Sequence, residues 1–392
     1  MKIAVVTGSR AEYGLLAPLI RALKDESTFD VRLVVTGAHL SPAFGLSYRD
    51  ILDDGFEIDR KVEMLLSGDT DTAIVKSTGL GLLGFADALS EIQPDWVIVL
   101  GDRYEVFAAT AAAYLLKIPV AHLHGGELTE GATDEGLRHA ITKMSFMHFT
   151  AAEEYRRRVI QLGESPDRVL NVGALGIDNA LNLKLLTREE LGAQLGHDFS
   201  RPTFMVTYHP ITLDNDRSGS QADELLAALD EFPDLDLIIT MPNADANTFV
   251  IRERLQEYGR KRPARVKLFE NLGRLRYLSC LQYVVGVVGN SSSGLIEVPS
   301  FKIPTVNIGD RQKGRIKASS VIDAEPNRSS IGSAIIKALS PEFARTCAIT
   351  ENEYGDGDAA RRIVEVLKAT GKIDSLKKGF HDLDAIPGPS PA

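Results

Sequence analysis

The sequence has very little cysteine and no long apolar run, and both shortages narrow the class of protein. Among its 392 residues only Cys280 and Cys347 are cysteines, and no CxxC pair occurs. Two cysteines cannot form a disulfide framework, so we expect a reducing compartment, the cytoplasm. No apolar run approaches the length that spans a bilayer, and the one that opens the chain is too short for a signal-peptide core. We therefore expect no membrane partner.

The chain also lacks an excess of positive charge. Its 44 Lys and Arg residues face 54 Asp and Glu residues, which leaves a formal net charge of −10. Because the phosphate backbone of a nucleic acid attracts basic proteins, this balance argues against a nucleic-acid partner. It does not exclude a small anionic ligand, since a local cluster of arginines can hold a phosphate on an acidic protein.

What the sequence does have is a regular alternation of short β-branched runs with longer amphipathic stretches. Strands are predicted at 2–7, 31–36, 95–100, 118–123 and 168–173, and then at 203–209, 235–240, 265–270, 283–288 and 304–309. Continuous apolar strands separated by helices are typical of parallel sheets covered on both faces. We predict an α/β chain of two Rossmann-like, doubly wound domains in tandem, at 1–180 and 181–370, with a loose tail at 371–392. Ligands of such sheets lie beyond the carboxyl ends of the strands, so we expect the site in the cleft between the domains.

Two polar turns follow strands in the first half. The turn "GSR" opens the first helix, where backbone N–H groups and Arg10 could bind an anion. The alternative is a simple turn between strand and helix with an exposed arginine. The turn "GDR" follows a buried strand and places Asp102 and Arg103 at a helix start. Asp102 suits proton transfer or a plain helix N-cap, and Arg103 could pair with an anion.

The stretch 121–143, "AHLHGGELTEGATDEGLRHAITK", is the richest in titratable groups. It carries His124, Glu127 and Asp134 around a Gly-Gly turn that lets a ligand approach the backbone closely. This composition indicates general acid/base work. A metal site is the alternative, because HxH at a strand end also occurs in metal hydrolases, but that class needs further histidines after later strands.

A second glycine pattern resembles a dinucleotide-binding motif but lacks the structural context that such a motif needs. "GLGLLG" at 79–84 matches the dinucleotide pattern GxGxxG, but no strand precedes it. We expect its glycines to be close-packing positions within one helix.

The second half repeats the placement of polar residues at strand ends. His209 in "VTYHP" ends the first strand of this half, and Asn243 in "MPNAD" ends the next, where it is a candidate substrate contact. The segment 289–300, "GNSSSGLIEVPS", follows a later strand. Its spacing does not match a GxSxG nucleophile elbow. Free N–H groups and the hydroxyls of Ser291 and Ser292 suit an anion, Glu297 suits a ribose diol, and Arg311 adds positive charge after the next strand. The alternative is a capped helix whose serines are exposed to solvent and bind no ligand.

These segments together carry a family resemblance. "GSRAEYG", "GDRYE", "HLHGGE", "DEGLRHAITK", "GNSSSGLIEVPS" and "NIGDRQKGR", in this order, resemble the hydrolysing UDP-N-acetylglucosamine 2-epimerases of bacterial sialic and legionaminic acid synthesis. The resemblance extends to about residue 370. It implies a GT-B fold, a UDP-sugar substrate (UDP-N-acetylglucosamine or a 2,4-diacetamido-6-deoxy analogue), no cofactor and no metal. It also implies elimination of UDP to a glycal intermediate, then hydration to a free 2-epimer of the N-acetylmannosamine type.

The resemblance also implies roles for the residues named above. Asp102, with Glu127 or Asp134, would move protons, and Glu297 would hold the ribose. The diphosphate would be held by Arg10, Arg103, His209, Ser291, Ser292 and Arg311. Family members differ at His124, where some carry a catalytic glutamate, so His124 or Glu127 fills that role here. The resemblance also implies a homodimer or a homotetramer. The alternatives are a non-hydrolysing 2-epimerase, a GT-B glycosyltransferase, a metal hydrolase and a non-catalytic sugar-nucleotide module.

Overall fold

A computed structural model describes residues 1–66, 70–128, 133–209, 218–242 and 248–383 of the protein. The chain forms two compact units. The first contains Met1–Asn179 and returns from Gly357 onward, and the second is Ala180–Asp356. Each unit is built on its own parallel sheet, as the alternating pattern predicts.

The first unit has a sheet in the order β3-β2-β1-β4-β5-β6-β7. Its strands are β1 (Lys2–Thr7), β2 (Asp30–Thr36), β3 (Arg60–Val62), β4 (Trp96–Leu100), β5 (Val120–Leu123), β6 (Met147–Thr150) and β7 (Val169–Asn171). The helices are α1 (Arg10–Asp25), α2 (Tyr48–Asp53), α3 (Asp71–Ile92), α4 (Tyr104–Leu115), α5 (Thr133–Met144), α6 (Glu153–Gln161) and α7 (Leu175–Asn182), the last of which ends in the second unit. The predicted list lacks two of these strands: β3, in which only Val62 of three residues is buried, and the short buried strand β6.

The second unit repeats the arrangement in the order β10-β9-β8-β11-β12-β13. Its strands are β8 (Thr203–Thr207), β9 (Asp236–Thr240), β10 (Val266–Phe269), β11 (Gly286–Gly289), β12 (Thr305–Ile308) and β13 (Val321–Ala324). Its helices are α8 (Arg188–Leu195), α9 (Ser218–Leu229), α10 (Thr248–Lys261), α11 (Gly273–Leu281), α12 (Ser293–Ile296), α13 (Arg328–Ala338) and α14 (Pro341–Ile349).

In both units the strand order reverses at one point, between β1 and β4 and between β8 and β11. Parallel pairing at these points places Val5 opposite Ile98, and Val206 opposite Val288. The loops that leave the carboxyl ends of the two strands therefore diverge, and ligands of doubly wound sheets bind in that space. The segments predicted to carry function leave these strands or their neighbours.

The last helix, α15 (Ala359–Thr370), belongs to the first unit and not to the C-terminal domain expected at 181–370. The reason is a helix cap from a distant part of the chain. The carboxylate of Asp178 accepts hydrogen bonds from the backbone N–H of Ala359 at 2.9 Å and of Ala360 at 2.6 Å. The apolar face of α15 then packs on α1, with Ile363 and Leu367 buried.

The segment after α15 is also bound to the first unit, as far as the structure describes it. The indole N–H of Trp96 donates to the carbonyl of Gly371 at 2.8 Å. The ammonium of Lys378 donates to the carbonyls of Lys143 and Ser145, each at 2.7 Å. The loose tail expected from residue 371 is thus an anchored segment over 371–383. None of the helices within the described residues is long and apolar enough to cross a membrane.

Candidate active site

The turn after β1 is occupied by the side chain of Glu12, a residue of the helix that follows. The carboxylate of Glu12 accepts the backbone N–H of Gly8 at 3.0 Å, and Ser9 caps α1. Burial raises the pKa of Glu12 to about 8, although the hydrogen bond from Gly8 acts in the other direction. Arg10 is exposed and forms an ion pair with Asp50 at 2.9 Å. The anion-binding turn predicted here therefore has its Gly8 N–H already occupied.

Asp102 follows β4 and forms an ion pair with Arg138 of α5. Arg138 is buried, and its guanidinium also donates to the carbonyl of Glu127 at 2.7 Å and to the carboxylate of Glu135 at 2.7 Å. One buried cation thus joins groups from β4, β5 and α5. It is what brings Asp102 and the Glu127 backbone together. Asp102 is not a helix cap here, because α4 begins two residues later with Arg103 in the cap position.

Arg103 is held by a neighbour on its own helix. Its guanidinium donates to the carboxylate of Glu105 at 3.2 and 3.1 Å, and Glu105 is almost fully buried. Asp134 lies within electrostatic range of this group. Burial and the charge of Asp102 raise the pKa of Asp134, while the charges of Arg103 and Arg138 oppose the shift. A carboxyl in this setting is suited to hold a proton for transfer.

His124 and Glu127 lie next to each other at the two ends of the Gly-Gly turn. His124 Nδ1 lies 3.2 Å from the carboxylate of Glu127, and both side chains are mostly buried. The backbone N–H of Leu175 points at His124 Nε2 at 3.4 Å. Because Nε2 accepts, the proton of a neutral ring lies on Nδ1, the nitrogen that is near the Glu127 carboxylate. His124 has a left-handed backbone, φ +63°, which is uncommon for a residue other than glycine.

In the second unit, the turn after β11 is hydrogen-bonded to the turn after β8. Asn290 accepts the backbone N–H of His209 at 2.7 Å and donates to the His209 carbonyl at 2.8 Å. Gly289, with φ +146°, precedes it, and a Cβ at this position would lie 1.9 Å from the carbonyl oxygen of Thr207. Only glycine allows β11 to end so close to β8.

The imidazole of His209 is largely buried beside a cation. Burial and the charge of Arg311 lower the pKa of His209 to about 4, so the ring is neutral at physiological pH. Its Nδ1 has no hydrogen-bond partner within the described residues. Arg311 and Gln312 both donate to the carbonyl of Asn290, at 3.0 and 2.9 Å. His209, Asn290 and Arg311 therefore form one group at the carboxyl edge of the second sheet.

The serine run after this turn is only partly buried. The helix that follows, α12, has four residues, so the helix dipole expected from the sequence contributes little. The third serine, Ser293, shares a hydrogen bond with the hydroxyl of Tyr277. Burial raises the pKa of Glu297, although a hydrogen bond with Ser293 opposes the shift. Asn243, the remaining predicted contact, lies outside the described residues.

Comparison with known proteins assigns the chain that carries these two groups to a family. The family model for UDP-N-acetylglucosamine 2-epimerase matches residues 21–368. The chain belongs to the UDP-N-acetylglucosamine 2-epimerase family. This confirms the family predicted from the six segments, and with it the prediction of an enzyme.

Two relatives of this epimerase resemble it over nearly the whole chain. A Campylobacter jejuni protein named GDP/UDP-N,N'-diacetylbacillosamine 2-epimerase (hydrolyzing) is 39% identical over 383 residues, which cover 97% of this chain and 99% of the relative. The polysialic acid biosynthesis protein P7 of Escherichia coli is 40% identical over 387 residues, 98% of each chain. A solved UDP-GlcNAc 2-epimerase from Neisseria meningitidis, bound to UDP-GlcNAc, aligns with a TM-score of 0.74 at 21% identity, over 94% of this chain and all of the other. The fold, two Rossmann-like domains of the GT-B type, is confirmed.

Several polar residues of this epimerase received no role from the sequence pattern. The most important are Arg138 and Asn290, whose neighbours had been singled out. A usable signal was present: Arg138 lies one turn after Asp134 on an amphipathic helix, and Asn290 directly follows a buried strand. Among the described residues, no group of three or more His, Cys, Asp or Glu side chains is arranged to hold a metal ion.

Proposed function

We propose that this epimerase converts a UDP-linked 2-acetamido sugar and water to UDP and the free 2-epimer. The observation that carries the proposal is the group formed by Asp102, Arg138, Glu127 and His124 at the carboxyl edge of the first sheet. It combines carboxylates that can take or give a proton with a buried cation that fixes their places. Such a group suits proton abstraction at a carbon atom that lies next to a leaving group.

The first step is an elimination. One carboxylate takes the proton from C2 of the sugar, and the electron pair forms the C1–C2 double bond. The bond between C1 and the phosphate oxygen breaks, and UDP departs with that electron pair. We assign the role of base to Glu127, whose carboxylate lies 3.2 Å from Nδ1 of His124. Asp102 and Asp134 remain as the partners in proton transfer.

The second step adds water across the same double bond. Hydroxide attaches to C1, and a proton attaches to C2 from the face opposite the one it left. The product is the free sugar with inverted configuration at C2. Asp134 suits the role of proton donor, because burial and Asp102 raise its pKa.

UDP is held by the second unit in this proposal. The group of His209, Asn290 and Arg311 offers a neutral imidazole and a fixed guanidinium at one turn. Arg311 and the hydroxyls of Ser291 and Ser292 then bind the diphosphate and stabilise its growing charge. Glu297 binds the ribose hydroxyls. Arg10 and Arg103 bind phosphate only if they leave Asp50 and Glu105.

The C4 and C6 substituents of the sugar are the finer part of the proposal. The C. jejuni relative is named for a diacetylbacillosamine nucleotide, the 2,4-diacetamido type. The E. coli relative is named for polysialic acid synthesis. We propose that the 2,4-diacetamido-6-deoxy sugar nucleotide or UDP-N-acetylglucosamine is the substrate, and that the product is a precursor of a nonulosonic acid.

One assay tests the reaction and the substrate together. The purified protein is given UDP-N-acetylglucosamine or the diacetamido analogue in D₂O, and free UDP and the sugar are analysed. We expect UDP release from one of them and deuterium at C2 of the released 2-epimer. A UDP-linked epimer without free UDP would replace the proposal with a non-hydrolysing 2-epimerase. Turnover that appears only with an added sugar acceptor would replace it with a glycosyltransferase.

We also propose a homodimer or homotetramer in the cytoplasm. Helices α3 and α4 of the first unit expose apolar side chains that a second copy could cover, including Val75 (70% exposed), Leu83 (68%) and Leu115 (70%). Both cysteines are buried and free, which fits a reducing compartment. Analytical ultracentrifugation of the protein and of the variant Leu83→Glu tests the assembly. A wild-type monomer at micromolar concentration contradicts it.

A further inference from the structure

His122, on β5, is buried beneath the Gly-Gly turn and has two hydrogen-bond partners. Its Nε2 lies 2.8 Å from the carbonyl oxygen of Gly101, and its Nδ1 lies 3.2 Å from the hydroxyl of Thr142. Gly101 is the residue before Asp102, and Thr142 lies on α5, one turn after Arg138. His122 is therefore hydrogen-bonded to the residue before Asp102 and to the helix that carries Arg138. Neither of these two hydrogen bonds involves Asp102 or Arg138 itself.

The two partners determine which nitrogen carries the proton. A carbonyl oxygen only accepts, so Nε2 must be the N–H that donates to Gly101. Nδ1 is then the acceptor, and the hydroxyl of Thr142 donates to it. The ring is complete as a neutral imidazole, with one bond given and one received.

The surroundings keep the ring neutral. Burial lowers the pKa of His122 to about 3, and the nearby His148, Arg138 and His124 oppose a further positive charge. A protonated ring would also have to donate at both nitrogens and would lose the hydrogen bond from Thr142. His122 is thus neither a proton donor nor a proton acceptor for the reaction at ordinary pH.

The Gly-Gly turn leaves the space that this ring needs. A Cβ on Gly125 would lie 3.0 Å from the hydroxyl oxygen of Thr142 and 3.1 Å from Nδ1 of His122. The glycine therefore permits the turn to close directly over the His122–Thr142 hydrogen bond.

Gly101 has a left-handed backbone, φ +83°, and both of its polar groups are bonded to β5. Its N–H donates to the carbonyl of Leu123 at 3.1 Å, and its carbonyl accepts from His122. We propose that His122 is a positioning residue: its Nε2–H fixes the Gly101 carbonyl and so sets the direction in which Asp102 leaves the sheet. The consequence for turnover rests on the function proposed above, and the consequence for the turn does not.

Two substitutions of similar size separate positioning from mere packing. The side-chain amide of His122→Gln reaches the place of Nε2 and can still donate to Gly101. The amide of His122→Asn reaches only the place of Nδ1, so it keeps Thr142 and loses Gly101. We expect His122→Asn to lower kcat about 10- to 100-fold with little change in KM, as small errors in placement do. We expect His122→Gln to recover most of that loss.

Hydrogen exchange gives a readout that needs no turnover. We expect the peptide containing Gly101–Arg103 to exchange faster in His122→Asn than in wild type, and at nearly the wild-type rate in His122→Gln. Equal exchange in the two variants would overturn the proposal, and so would equal kcat values among variants with equal melting temperatures. If wild type releases no UDP from either sugar nucleotide, the proposed function fails, and hydrogen exchange still decides the role of His122.

Discussion

Arg138 donates to the carboxylate of Asp102 from a side chain that is 3% exposed, whereas the carboxylate that it holds is 25% exposed. The cation is therefore inside the unit, and the anion is at its surface. Arg138 keeps two further partners, the Glu127 carbonyl and the Glu135 carboxylate. Its charge remains compensated if Asp102 alone is changed, so function at this position can be separated from folding.

Asp102→Asn should abolish turnover and leave UDP binding largely intact. The amide cannot exchange a proton as the carboxylate does, and loss of one acid/base group lowers kcat about 10²- to 10⁴-fold. The proposed UDP contacts lie on the second unit and are untouched. Steady-state kinetics and UDP titration calorimetry check both parts. A large loss of UDP affinity would make Asp102 a binding residue.

Glu127→Gln and His124→Asn should differ strongly, because Glu127 is proposed as the base and His124 as the group that orients it. We expect Glu127→Gln to lower kcat about 10²- to 10⁴-fold. Asparagine at position 124 can place an N–H near the position of the lost Nδ1–H, so we expect a much smaller loss there. Single-turnover kinetics compares the two variants. A greater loss in His124→Asn would assign the proton transfer to the histidine.

The sequence was sufficient for the architecture and for the positions of most candidate residues. Buried β-branched runs predict parallel strands. A polar residue directly after such a run lies at the carboxyl edge of the sheet, where ligands bind. This is how Asp102, His124 and His209 were found. The pairs that these residues form were not predictable. Arg138 reaches Asp102 only because α5 packs beside β4 and β5, which is a tertiary relationship.

Two features show what a local pattern leaves out. Glu12 looked like an ordinary residue in the first turn of a helix, yet its carboxylate fills the turn predicted to hold an anion. The segment from residue 371 was expected to be a loose tail, yet Lys378 donates to carbonyls more than 230 positions away. Periodicity carries no information about partners this distant.

Gly289→Ala should damage the second unit, whereas Gly79→Ala should not. At Gly289 a Cβ would lie 1.9 Å from the Thr207 carbonyl and the backbone is left-handed, so we expect a loss of about 2–4 kcal/mol and weaker UDP binding. At Gly79, within α3, a Cβ would meet no atom of the described residues within 4 Å apart from its own helix, so alanine should stabilise by about 0.5–1 kcal/mol. Gly81 and Gly84 differ from Gly79, because side chains of Met64 and Val62 pack against them, as expected for close-packing positions. Thermal unfolding and UDP titration check the pair.

Glu12→Gln should become more stable relative to wild type as the pH rises. Burial raises the pKa of Glu12 to about 8, from an ordinary value of 4.5. Below pH 4.5 the folded and unfolded chains both hold the proton. Between about pH 4.5 and 8 only the folded chain holds it, so the free energy of unfolding of wild type falls as the pH rises. Glutamine does not titrate and lacks this fall.

Melting curves of Glu12→Gln, wild type and the exposed control Glu57→Gln from pH 5 to pH 8.5 check this prediction. We expect Glu57→Gln to follow wild type throughout. A constant difference between Glu12→Gln and wild type over this range would show that Glu12 does not titrate there.

Lys378→Met should loosen the C-terminal segment, and Lys377→Met should not. The ammonium of Lys378 is bound by two carbonyls and by Glu164 at 2.8 Å, whereas Lys377 is exposed. Removal leaves buried acceptors unpaired, so we expect a loss of about 1–3 kcal/mol.

The pH dependence of this loss provides the sharper test. Burial alone would raise the pKa of Glu164, but hydrogen bonds from His148, Lys143 and Lys378 lower it to about 2. The stability that this ion cluster provides is therefore complete above the ordinary pKa of 4.5 and disappears as the pH falls toward 2. The difference in melting temperature between Lys378→Met and wild type should shrink over that interval. A difference that is the same at pH 7 and pH 3 would mean that Lys378 acts through its carbonyl contacts alone.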